Sequence, residues 1–518
     1  MPNESRLWAR HGAAALCVLT GLASVAGAQE PLSAIDWLSR SVASPVKAVV
    51  PHHAEPRVSK SAMPAEVAVT PLDTASADAV GLLSPEVTGF PRALWGMGQT
   101  TEIANRIAVA PTGSLPALQA LLTSILLAEA EAPADSADKG QLLLARVDKL
   151  LAMGALDPAR RLLEAAGKTG PEIFRRQFDI ALLTGTEDAA CGVMQKSPDL
   201  APTFPARIFC LARSGDWNAA ALSLRTGQAL GFVDDAQSDL LTRFLDPQIA
   251  EDEGGVAPPA HVTPLDWRLL EAIGEPLPTQ TLPIAFARAE LRETSGWKAR
   301  LEAAERLARA GALEPPQLLR LYTERRAAAS GGVWDRVREM QAIDRALTAR
   351  DAAAVAKILP DLWLHMSESE LEVPLASLIA PRLATMTLTG ETAALAYRIR
   401  LLAPEVKAVP PRVMPVDPAG RFLVAVALGH AADGVPADDT GRQIAQAFRA
   451  PALSDETGRL VADARPGEAL LQAIDEINRG FRGDPEGLSE GLSLLRELGL
   501  DEQARRISIE LLLLERRG

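Results

Sequence analysis

Aromatic residues are scarce in this chain. Phe, Trp and Tyr together make up 4% of its 518 residues. Runs of the β-branched and aromatic residues that favour strands are also missing. Ala, Leu, Arg and Glu are abundant instead, and all four rank among the strongest helix formers. The composition therefore predicts an all-α fold and disfavours a binding site built on aromatic platforms.

Cysteine is almost absent, with three residues in the whole chain. No C-x-x-C pair with a nearby histidine completes a zinc site, so we predict no metal and no cofactor. Cys17 lies in the leader described below, which leaves Cys191 and Cys210. An even pair in an exported protein predicts a disulfide between neighbouring helices, and two buried free thiols are the alternative.

The chain also lacks a catalytic motif in a suitable context. Residues 487–491 match the G-x-S-x-G pattern, but the leucines around them recur at helical spacing, which places Ser489 on a polar helix face. His365 and Glu368 form H-x-x-E without a third ligand. We therefore predict no catalytic residue and expect a protein that is not an enzyme. The alternative is an envelope hydrolase or glycan-acting lyase that uses carboxylates such as Glu368 and Glu370 on a helical frame.

Positive charge is in deficit. The chain has 53 Lys and Arg against 66 Asp and Glu, a formal net charge of −13. An acidic protein repels phosphate backbones and anionic lipid surfaces. Nucleic acid is therefore excluded as an expected partner.

The first 28 residues have the three parts of an export signal. Two arginines precede an apolar run over 12–25, and Ala26 and Ala28 form an A-x-A cleavage site in front of Gln29. The run is shorter than the roughly 18 residues that span a bilayer, which disfavours an uncleaved anchor. We therefore expect a periplasmic protein with no stable membrane insertion after cleavage.

Proline is concentrated in residues 29–95, where its spacing leaves no room for a long helix. We predict a Pro/Ala-rich disordered tail with two tryptophan-containing islands, at 32–38 and 89–96. The candidate docking residues in the islands are Ile35, Trp37, Leu38, Phe90, Leu94 and Trp95. For the first island the alternatives are docking, on a partner or on the protein's own groove, and disorder. For the second island the alternatives are docking and packing on the first helices of the folded part.

The clearest helical pattern occupies residues 141–166. Apolar residues recur there at helical spacing: Leu143, Val147, Leu150 and Leu151. Gly154 ends the first helix, and Asp157 with Pro158 starts the second. Because so short a pair cannot bury both its faces, it predicts a stack of similar hairpins, an α-solenoid.

The breaks in this pattern predict the domain organisation. The expected regions are 96–250 (N-terminal helical repeats), 251–262 (linker), 263–403 (central helical repeats), 404–418 (Pro-rich connection) and 419–518 (C-terminal helices). Both connections are rich in Pro and polar residues, which end helices.

A Leu-x-x-x-Gly motif recurs at the turns of several hairpins. Its glycines, Gly154, Gly215, Gly311 and Gly499, are 61, 96 and 188 residues apart, near multiples of about 31. The hairpins at 150–163, 211–222 and 495–507 resemble tetratricopeptide units, with Ala159, Ala220 and Ala504 as the small packing residues, although the first-helix Trp and Tyr of that family are not matched.

The whole chain is similar to exported Ala/Pro-rich proteins of Gram-negative bacteria, on its leader, its Pro/Ala tail and its Ala-rich helices. The resemblance to tetratricopeptide proteins implies a scaffold rather than an enzyme. We therefore expect a periplasmic scaffold that binds a protein or peptide partner of the cell envelope, with the tail as a tether or docking segment.

The export signal makes a prediction that one measurement checks. When the full chain is produced in a Gram-negative host, the protein isolated from the periplasm should begin at Gln29, because cleavage follows Ala28. N-terminal sequencing or intact-mass analysis reads this directly. A protein that retains residues 1–28 and stays in the membrane fraction would contradict the prediction.

Overall fold

A computed structural model of the chain describes residues 35, 37, 76–136, 140–246, 248, 255–404 and 406–514. Within these residues the regular structure is helical, and the only extended pairing is an isolated bridge between Leu83 and Ala128. The all-α prediction is therefore confirmed for the described part of the chain. Over the same residues, no helix combines the length and the apolar character needed to cross a membrane.

The helices follow one another with short connections. The first ten are α1 (Pro85–Thr88), α2 (Thr100–Val109), α3 (Pro116–Leu127), α4 (Gln141–Ala152), α5 (Leu156–Ala166), α6 (Pro171–Thr184), α7 (Glu187–Lys196), α8 (Phe204–Arg213), α9 (Trp217–Leu230) and α10 (Asp235–Leu245). After residues 246–263 come α11 (Pro264–Ala272), α12 (Trp297–Arg309), α13 (Pro315–Glu324), α14 (Val333–Thr348), α15 (Ala352–Ser367), α16 (Glu372–Leu383), α17 (Gly390–Leu402), α18 (Pro418–Ala427), α19 (Asp439–Arg449), α20 (Asp455–Ala462), α21 (Pro466–Phe481), α22 (Pro485–Glu497) and α23 (Asp501–Leu513). Short 3-10 helices lie at Ala77–Ala79, Pro198–Leu200, Thr279–Thr281 and Ile284–Leu291.

Many helices end in the same way as α4. Gly154 has a left-handed backbone with φ of 76°. Its N–H donates to the carbonyl of Leu151 at 2.9 Å, and the next N–H, of Ala155, donates to the carbonyl of Leu150 at 2.9 Å. This is a Schellman end, in which glycine takes the left-handed position without steric penalty. The carbonyls of Leu211, Leu307 and Leu495 accept equivalent hydrogen bonds, at 3.0, 2.8 and 2.9 Å.

The same end also forms without glycine. Arg350, Glu370 and Ala464 have φ of 55°, 55° and 52°. The residue after each one donates its N–H to the carbonyl five positions before it, at 3.0, 2.9 and 3.0 Å respectively. The Leu-x-x-x-Gly motif therefore marks a general way of ending a helix in this protein. That local origin explains why its intervals along the sequence are irregular.

Consecutive helices pack in pairs, such as α4 with α5, α8 with α9, α14 with α15 and α21 with α22. The two ends of the described chain also meet, because α2 and α3 pack against α21 and α23. Arg106 donates to the side chain of Gln472 at 2.9 Å, and the Ala117 N–H donates to the Glu510 carboxylate at 2.7 Å. A solenoid in which each unit contacts only its neighbours has no contact of this kind.

A second hydrophobic core lies beside the main one and is formed by α6 to α11. Its members include Phe174, Phe178, Phe209, Leu241, Leu265 and Leu270. The predicted linker 251–262 therefore does not divide two cores, since α11 follows it and packs back onto α6 and α10. Arg268 of α11 also pairs with Glu187 of α7 at 2.6 Å. The later predicted connection, 404–418, does lie between two helices, α17 and α18.

The predicted end of the tail at residue 95 is wrong. The folded part includes residues from Ser76 onward, and Asp78 is buried among them. The Asp78 carboxylate accepts hydrogen bonds from Ser136 Oγ at 2.6 Å and from the Leu143 N–H at 2.8 Å. The prolines in this stretch exclude a long helix, but they do not prevent an irregular segment from packing on one. Residues 29–34, 36 and 38–75 lie outside the described part.

The left-handed residue at the end of α14 makes a stability prediction. Replacing Arg350 with Gly should raise the free energy of unfolding by about 1 kcal/mol, because a Cβ is unfavourable at this φ and the exposed side chain of Arg350 is not needed for the turn. The matched control is Arg345→Gly, three positions before the end of α14, which should lower the free energy of unfolding by about 1 kcal/mol. Chemical denaturation measures both. An Arg350→Gly variant less stable than the parent would contradict the steric argument.

The structure joins Cys191 of α7 and Cys210 of α8 by a disulfide, with a Cα–Cα distance of 5.1 Å. The closed loop has a sequence separation of 19, so in the loop-entropy account the bond contributes about 3 kcal/mol. The Cys191→Ala/Cys210→Ala protein should have a free energy of unfolding lower than that of the parent by that amount, and it should unfold at a lower denaturant concentration. Reductant should destabilise the parent and leave the double variant unchanged. Alkylation of both cysteines in the unreduced, denatured parent would contradict the bond.

Candidate functional site

Trp37 lies far in sequence from Phe286, the residue that its ring contacts, and its side chain is buried. Only 7% of it is exposed, and its ring meets the ring of Phe286 edge to face, with centroids 5.6 Å apart. Ile35 is half-buried against the same main core. Aromatic pairs favour this edge-to-face arrangement because the positive ring edge faces the negative ring face. Ile35 and Trp37, the two described residues of the first island, therefore pack on the protein itself.

The receiving surface is built on the 3-10 helix Ile284–Leu291, which contains Phe286. Arg306 of α12 fixes the start of this segment by donating to the carbonyls of Thr279 and Leu282 at 2.7 and 2.6 Å. The Glu290 carboxylate accepts the Thr279 N–H at 3.1 Å. These hydrogen bonds involve no atom of Trp37. The surface that holds the indole is therefore organised by the folded body itself.

The same segment lies at a junction of the fold. Ile284–Leu291 packs against α12 and α4 of the main core and against α6, which belongs partly to the second core. Arg292 follows it and lies over the ring of Trp267 at 5.3 Å, with its guanidinium hydrogen-bonded to Glu271 at 2.5 Å. We call the surface around Phe286 that receives Ile35 and Trp37 the Trp37 site.

The second island does not form a separate docking segment. Phe90, Leu94 and Trp95 are 5%, 0% and 1% exposed and belong to the main core. The Leu94 carbonyl accepts the N–H of Gly467 in α21 at 2.7 Å, so the island packs against helices of its own chain. The other predicted residues, Leu38, Ala26, Ala28 and Gln29, lie outside the described part.

The residues weighed as catalytic have structural partners. Ser489 lies within α22, and its carbonyl accepts the hydroxyl of Ser493 at 2.7 Å, so it has the helical environment that its spacing predicts. Glu370 is in the turn after α15 and faces Arg309 at 3.8 Å. His365 is bonded to the Glu339 carboxylate at 2.8 Å, and this hydrogen bond raises the pKa of His365 against the opposing effect of burial. No group of three or more metal-binding side chains occurs among the residues that the structure describes.

A buried polar network lies next to the central helices. Tyr322 donates to the Glu305 carboxylate at 2.8 Å, and Arg336 pairs with the same carboxylate at 2.6 and 2.8 Å. Burial raises the pKa of Tyr322 well above its usual range, and the charge of Glu305 adds to the shift. The phenol therefore stays neutral and acts as a donor. This network joins α12, α13 and α14 and has the geometry of a structural support.

Phe286 is the residue of the candidate site that the sequence did not single out. It lies in an apolar stretch that predicts a helix over 283–293, where the structure has a 3-10 helix at Ile284–Leu291. Nothing in the stretch distinguishes a phenylalanine that receives a distant tryptophan from one that fills the core. The sequence signal for this contact was Trp37, the isolated tryptophan that meets Phe286.

The comparisons with known proteins return no relative. No protein-family model matches the chain, and neither a curated protein nor a solved structure matches it at the significance required.

Proposed function

We propose that this protein is a non-enzymatic scaffold of the periplasm, built from stacked helical hairpins, that binds a protein or peptide partner of the cell envelope. The observation that carries the proposal is the contact of Trp37 with Phe286, in which the helical body buries an aromatic side chain from a distant segment of sequence. Binding a short apolar segment in this way is a common mode of peptide recognition.

Two further features support the proposal. The leader with its A-x-A site is typical of exported proteins, and a disulfide between α7 and α8 suits an oxidising compartment. The contacts between α2–α3 and α21–α23 tie the stack into a single body, which holds its surfaces in a fixed arrangement. A fixed surface loses little freedom on binding, and this favours affinity.

The test is recovery of a partner from living cells. The full chain with a C-terminal tag is expressed at its natural level in the organism that makes it, cells are cross-linked, and the envelope fraction is captured. We expect at least one envelope protein to be enriched about tenfold over an unrelated exported protein with the same tag. The captured bait should itself fractionate with the periplasm.

Two results would overturn the proposal. One is a bait that fractionates with the cytoplasm. The other is a periplasmic bait, folded by circular dichroism, that captures nothing beyond what the unrelated protein captures.

A further inference from the structure

The Trp37 site has two properties that a permanent core contact does not need. Its occupant, Ile35 and Trp37, lies far along the sequence from the segment Ile284–Leu291 that receives it. Its receiving surface is fixed by Arg306 and Glu290, whose hydrogen bonds join parts of the folded body. A preformed apolar surface with an occupant supplied by a distant segment has the construction of a binding site and its ligand.

The chemistry of the occupant is specific. Trp37 is 7% exposed and meets Phe286 edge to face at 5.6 Å, and Ile35 packs on the same core two residues earlier. A tryptophan supplies a large, stiff apolar surface and is the residue most typical of binding hot spots. The recognised pattern is therefore an aliphatic residue two positions before a tryptophan.

The attachment of the occupant to the same chain gives it an advantage over free ligands. A segment of the same chain competes with free ligands at an effective concentration that can far exceed theirs, without any new contact. A free segment of the same chemistry therefore binds measurably only when the resident one is removed, or when the partner makes further contacts that outweigh the tether. The described part of the occupant is one indole and a half-buried isoleucine, so a partner that makes further contacts beyond these gains affinity over it.

We propose that the Trp37 site is a peptide-binding site, that Ile35 and Trp37 are its resident occupant, and that a partner segment with an aliphatic residue two positions before a tryptophan takes their place. The inference rests on the proposed scaffold function and identifies the surface and the ligand class. The bound segment packs on the main core, where the Ile284–Leu291 segment that receives it contacts α4, α6 and α12.

The experiment uses the full mature chain and a fluorescein-labelled peptide of residues 31–40, read by fluorescence anisotropy. Trp37→Ala vacates the site, so this variant should bind the peptide saturably and at least about tenfold more tightly than the parent. Trp217→Ala is the matched control, because Trp217 is an exposed tryptophan on α9, 6.2 Å from Phe244 and away from the site. It should bind the peptide no better than the parent. A peptide with Ala in place of its tryptophan should bind none of the three proteins.

A Trp37→Ala protein with the circular dichroism and thermal unfolding of the parent that fails to bind the peptide would overturn the proposal, as would equal binding by parent and variant. If Trp37→Ala does not fold, Ile35→Ala provides the test, because Ile35 is only half-buried and its loss should still raise peptide affinity several-fold. Unchanged affinity in that variant also overturns the proposal.

A parent that is dimeric and becomes monomeric on Trp37→Ala would place the occupant in a second copy and overturn the assignment to the same chain. None of these results affects capture of an envelope partner, so failure here is distinct from failure of the scaffold function.

Discussion

The guanidinium of Arg146, at the centre of α4, is the interaction on which the packing of the N-terminal part depends. It is 1% exposed and donates to the carbonyls of Leu126, Val80 and Ala128 at 2.7, 2.7 and 2.9 Å. Burial lowers its pKa to about 10, so it remains charged at neutral pH. Two of these carbonyls lie at the end of α3 and on the residue after it, and the third lies in the segment that precedes α1. Each carbonyl loses its hydrogen bonds to water on burial, so each needs a donor from the protein. The planar fork of arginine meets all three, which a lysine cannot do.

Two more charges of α4 are buried, and each closes a different contact. Asp148 pairs with Arg176 of α6 through both carboxylate oxygens, at 2.5 and 2.6 Å. Lys149 donates to the carbonyls of Ala108 and Ala110 at the end of α2, at 2.6 and 2.8 Å, and burial lowers the pKa of Lys149 to about 8. The helix is therefore enclosed on its charged side as well as its apolar side. Since a buried charge is tolerated only with partners in good geometry, these side chains fix how α2, α3 and α6 sit around α4.

Local features of the sequence predict helices well and their assembly poorly. The spacing of Leu143, Val147 and Leu150 is enough to predict α4, and Gly154 its end, because both depend on neighbours within one turn. The same spacing makes Arg146 and Lys149 look like a solvated face, although they are buried by segments from elsewhere in the chain. The meeting of Ala117 with Glu510 joins positions almost four hundred residues apart and has no local signature. The prolines before residue 95 likewise predict where a long helix is impossible, and they do not predict which irregular segments pack.

The candidate site shows the same difference between what local sequence predicts and what depends on the assembled fold. Trp37 is conspicuous because an isolated tryptophan in a polar, Pro-rich stretch has apolar surface that gains from burial, whatever covers it. Phe286 is inconspicuous because it is one apolar residue among many, and its role depends on the 3-10 helix that Arg306 fixes from α12. A side chain that gains from burial can therefore be found from composition, whereas the surface that covers it is a property of the assembled fold. The segment Ile284–Leu291, which contacts α4, α6 and α12, is where the assembled helices cover the ring of Trp37.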